Sequence, residues 1–123
     1  SGGELSRVML ASKVVLGNAD GVDTLVFDEV DAGVGGSTAR ALAGVLADLA
    51  ATHQVIVVTH LAQVAVMADK HYVVSKEPGD VPQTHLDEVT GEPRTAEIAR
   101  MLSGDQSEAS LAHAKQMLEE ARG

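Results

Sequence analysis

Thr24-Leu25-Val26-Phe27-Asp28-Glu29 decides how this chain is read. A short, continuously apolar run without polar alternation suits a strand buried on both faces of a parallel sheet, and here the strand Thr24–Phe27 ends in two adjacent carboxylates. A second such strand is expected at Gln54–Thr59, closing on Val57-Val58-Thr59-His60. Between them lie a glycine-rich loop, Ala32 to Gly36, and a helical pattern reaching about Ala51. Leu42, Val45, Leu46 and Leu49 fall on the inner face of that helix, and Ser37 is its expected N-cap. Strand, helix and strand in this order imply an α/β layered fold with parallel neighbours.

Upstream, Leu5, Val8, Met9, Val15 and Leu16 recur at helical spacing, so a helix is expected over Glu4–Leu16, with Ser1, Gly2 and Gly3 at its N-terminal end and Gly17 as its stop. Downstream, a short helix is expected from about Leu61 to Ala68 and a third strand at His71–Lys76. The turn signal Glu77-Pro78-Gly79-Asp80-Val81-Pro82 then leads to a returning hairpin strand, Thr84–Val89. Two helices, about Thr95–Leu102 and Ser107–Ala121, are separated at Ser103-Gly104-Asp105. No repeat, linker or low-complexity stretch divides residues 1–123, which read as one unit: a mostly parallel sheet with flanking helices and a hairpin.

Composition narrows the function. Eighteen acidic residues against nine basic ones give a net charge of -9, and the basic residues are scattered. Nucleic-acid affinity rests on lysine and arginine neutralising phosphates, so this segment is not expected to grip DNA itself. One Phe, one Tyr and no Trp leave little aromatic surface on which bases could stack. The absence of cysteine excludes disulfides and thiolate metal sites and fits a reducing cytosol. No apolar stretch approaches the roughly 20 residues of a membrane span. No basic region precedes an apolar one at the N-terminus, so neither a signal peptide nor a membrane partner is expected.

Three constellations carry chemistry. Asp28 and Glu29 stand at the C-terminal end of a strand, where open α/β sheets place their ligands. Such a pair can divide labour, one carboxylate holding Mg²⁺ and the next accepting a proton from an attacking water. Acidic pairs also follow strands as plain solvated loop residues. Ser1-Gly2-Gly3-Glu4 opens a helix, where free N–H groups and partial positive charge suit a phosphate and glycine permits close approach; a simple N-cap is the alternative. His60 is expected at the same sheet edge as Asp28, where an imidazole can hydrogen-bond a terminal phosphate or merely meet water. His53, His71, His85 and His113 show no ligand spacing. Nucleophilic catalysis finds no support, since there is no cysteine and no G-x-S-x-G elbow. Nor is there a G-x-x-x-x-G-K-[ST] loop: Gly33-Val34-Gly35-Gly36-Ser37-Thr38 lacks the lysine that would reach the β- and γ-phosphates.

Taken in order, these pieces resemble the second half of an ATP-binding-cassette (ABC) ATPase of the chromosome-maintenance, SMC-like type. Ser1-Gly2-Gly3-Glu4 is similar to the signature motif with Glu for the usual Gln, Thr24–Glu29 to the Walker B strand, and His60 to the switch histidine. Asp28-Glu29-Val30-Asp31-Ala32-Gly33 resembles the chromosome-maintenance branch rather than the transporters, which typically carry Pro after the acidic pair. Gly33-Val34-Gly35-Gly36, Val58-Thr59-His60-Leu61-Ala62-Gln63-Val64-Ala65 and Glu97-Ile98-Ala99-Arg100-Met101-Leu102-Ser103-Gly104 resemble the members that repair double-strand breaks in bacteria. Two departures stand out. Gly35 occupies the usual place of the D-loop aspartate, with Asp31 nearby but not equivalent, and Ala62 stands where proline is common.

The resemblance implies a C-terminal lobe whose Walker A half and coiled coil precede Ser1 in a longer parent. Two heads would sandwich two ATP molecules. Asp28 would support Mg²⁺, Glu29 would orient and deprotonate water, and His60 would contact the γ-phosphate in the same head, while Ser1, Gly2 and Gly3 would cap the nucleotide on the partner head. The implied partners are the N-terminal half, a second head in a homodimer, and DNA through the parent, at a cytoplasmic, nucleoid-associated location. The fragment alone is expected to be inactive, with apolar strand edges that favour self-association. A head from another chromosome-maintenance ATPase and a non-enzymatic dimerisation module remain the alternatives.

Overall fold

The computed structural model describes residues 24–28 and 35–122. Their order is β1 (Thr24–Asp28), α1 (Gly36–Ala50), β2 (Gln54–Val58), α2 (Ala62–Ala65), β3 (His71–Glu77), β4 (Gln83–Val89), α3 (Gly91–Ser103) and α4 (Glu108–Arg122). The fold is α/β, and the chain divides into two compact units, Ser1–Met67 and Ala68–Gly123. The helix expected over Glu4–Leu16 and the loop residues 29–34 lie outside the described residues.

In the first unit, β1 and β2 pair in parallel with Thr24 opposite Gln54 and Asp28 opposite Val58. The Thr24 hydroxyl donates to Gln54 Oε1 at 3.0 Å, reinforcing the first rung. Leu25 and Phe27 point to the covered face, and Leu42, Ala43 and Leu46 of α1 and Val64 of α2 complete the core. Val45, Leu49, Val55, Val57 and Leu61 pack around it, half-buried. Phe27, the chain's single phenylalanine, is fully buried, and a cavity left by truncating such a ring to alanine costs about 3–5 kcal/mol.

Two expectations need correction here. Ser37 does not cap α1: it is the second residue of the helix, and extended Gly35 is the N-cap without a side-chain hydrogen bond. Gly36 takes φ +55, a conformation that costs glycine little, so the helix opens ahead of the serine. The strands are also not buried on both faces. The alternate residues Val26, Ile56 and Val58 are 62%, 46% and 56% exposed, because the described helices cover only the Leu25–Phe27 side.

The second unit holds the antiparallel β3–β4 hairpin, with His71 opposite Val89 and Glu77 opposite Gln83, and the helix pair α3–α4. Ile98, Ala99 and Ala114 are its buried apolar residues. Helix α3 begins at Gly91, ahead of the expected Thr95, because Pro93 falls in its first turn, where proline's missing N–H is not needed. It ends as expected: Gly104 takes φ +78 and donates its N–H to the Arg100 carbonyl at 2.7 Å. Ser107 precedes α4, and its hydroxyl accepts from the Ser110 N–H at 3.3 Å.

Candidate functional site at the carboxyl edge of the parallel strands

Parallel pairing brings the carboxyl ends of β1 and β2 to one edge. Asp28 closes β1, is exposed, and stands level with Val58. The chain leaves β2 there through Thr59 and the exposed His60, which lies two residues beyond the strand rather than ending it. Asp28, the last residue of β1, and His60, in the loop after β2, therefore stand at the same edge of the sheet.

The His60 segment is tightly built. Thr59 Oγ1 accepts the Leu61 N–H at 3.0 Å, a local side-chain turn that spans His60. Leu61 is the N-cap of α2, and its carbonyl accepts from Val64 and Ala65, both at 3.1 Å. Ala62, Val64, Ala65 and Val66 are all buried, so apolar packing secures this single turn of helix. Ala62 is the first helical residue, a position that accepts proline readily, so the departure there leaves the turn's geometry available to either residue.

On the other strand, Asp28 leads into residues 29–34, and the chain returns at Gly35 to enter α1. Glu29, Ser1, Gly2 and Gly3 lie outside the described residues, as do Asp31 and Gly33. Among the described residues, no three His, Asp or Glu side chains gather as a metal-binding group. A single exposed carboxylate suits Mg²⁺, which keeps several waters and takes one or two carboxylates plus substrate phosphates.

One contribution to this edge escapes the sequence reading. Thr59 falls inside the strand expected at Gln54–Thr59, although a threonine two residues before an N–H to be held is a recognisable turn signal. Within the second unit, Arg94 precedes the helix expected from Thr95, yet it lies in the first turns of α3 and its Nη2 donates to the Ala68 carbonyl at 2.8 Å. Nothing local in the sequence indicates that bond, which joins residues 26 apart.

Comparison with known proteins points one way. The chain is 54% identical over 120 residues to the DNA repair protein RecN of Treponema pallidum, 57% over 119 residues to that of Deinococcus radiodurans, and 52% over 124 residues to that of Streptomyces coelicolor. These matches cover 96%, 96% and 99% of the chain. It is similar to the C-terminal part of RecN. The chain spans about a fifth of the length of these RecN relatives, 21%, 21% and 22% respectively. A solved structure from work on ATP-driven dimerisation and DNA-stimulated activation of SMC ATPases superposes with a TM-score of 0.62 at 22% identity. It covers 100% of this chain and 62% of that one, so the RecN-like sequence carries the fold of an SMC ATPase head. No protein-family model matches the chain.

Proposed function

We propose that residues 1–123 act together as the C-terminal lobe of an ATP-hydrolysing head in a protein of recombinational DNA double-strand-break repair. The observation that carries this reading is the common edge of β1 and β2, with Asp28 on one strand and the Thr59–Leu61 turn on the other. RecN similarity over nearly the whole chain supports the repair assignment.

In this reading ATP is the substrate, bound between lobes and between heads. Mg²⁺, held by Asp28 together with phosphates and water, supplies charge neutralisation when bound. Glu29, next in the chain, orients the attacking water and takes its proton. His60 hydrogen-bonds the γ-phosphate, its backbone fixed by the turn beneath it. Ser1, Gly2 and Gly3 present a hydroxyl and backbone N–H groups to the nucleotide of a second head. ATP thereby joins two copies as a homodimer, and hydrolysis releases them. The lysine-bearing phosphate loop comes from the N-terminal half of the same protein, and DNA is engaged elsewhere in the parent, consistent with the acidic charge of -9. The parent works in the cytoplasm at the nucleoid. No helix among the described residues is long and apolar enough to cross a membrane.

The test is ATP turnover by this chain mixed with a separately purified half that carries the phosphate loop, with Glu29→Gln as control. Turnover is expected only on mixing, and Glu29→Gln should keep nucleotide binding while abolishing it. A stable complex without turnover would instead favour a structural dimerisation module.

A further inference from the structure

We draw no further inference here: the strongest candidate, the open apolar face of the β1–β2 pair formed by Val26, Ile56 and Val58, is an unpartnered surface, and nothing in the structure shows what covers it.

Discussion

His71 illustrates how one residue couples chemistry to stability. Its Nδ1 is buried without a hydrogen-bond partner. Burial holds the imidazole below its ordinary 6.5, the nearby Arg94 charge adds to this, and Glu97 opposes it. The folded state therefore prefers neutral His71, while the unfolded chain takes up a proton near 6.5. The stability associated with the neutral ring is complete above that value and drains as pH falls through it toward the lower folded value. Denaturant melts at pH 8 and pH 5 should show a weaker fold at pH 5, and His71→Gln should flatten the difference. An unaltered pH dependence in the variant would show that other groups control it.

At the level of elements, the joint between α3 and α4 is a polar turn built from short side chains. Asp105 Oδ1 accepts from the Ser107 N–H at 3.1 Å, from Ser110 Oγ at 2.9 Å and from Ser103 Oγ at 3.2 Å. These bonds favour the carboxylate and hold Asp105 below its usual range, the Ser107 N–H contributing most. The Ser107 hydroxyl in turn accepts from Ser110 at the start of α4. Ser107→Ala should therefore lower stability by about 1 kcal/mol, measured by thermal or chemical unfolding, whereas Ser107→Asp should largely retain it. Equal melts for Ser107→Ala and the parent chain would mean that Asp105 alone organises the turn. This joint was plain from Ser103-Gly104-Asp105, because glycine's left-handed conformation is a local property. The start of α1 departs from expectation for a related reason: Ser37 is a good cap by type, but the preceding glycines let the helix begin earlier.

Across the whole molecule, the feature with the clearest consequence is the half-covered parallel pair. Val26, Ile56 and Val58 line a face that the described helices leave open, although the same strands bury Leu25 and Phe27 on the other side. Apolar faces of this kind promote association. Replacing Val26 and Val58 by threonine keeps side-chain shape and strand preference while making the face polar. The double variant should elute closer to monomer size than the unaltered chain in size-exclusion chromatography with light scattering. Unchanged association would place the adhesive surface elsewhere, with the exposed Tyr72, Val74 and Leu86 of the hairpin as the next surface to test.

Most of the element order was legible because it depends on neighbours along the chain. Apolar runs marked β1 and β2, a 3.6-residue period marked α1, and Pro and Gly marked the hairpin turn. The carboxylate at a strand end and the histidine after a second strand likewise mark one sheet edge from the sequence alone. Register and facing depend instead on which distant segments meet. The opposition of Asp28 to Val58, the bond from Thr24 to Gln54 across 30 residues, and that from Arg94 to Ala68 across 26 came only from the tertiary structure. So did the one-sided burial of the strands: an apolar sequence states what a strand can bury, whereas packing decides which of its faces is covered.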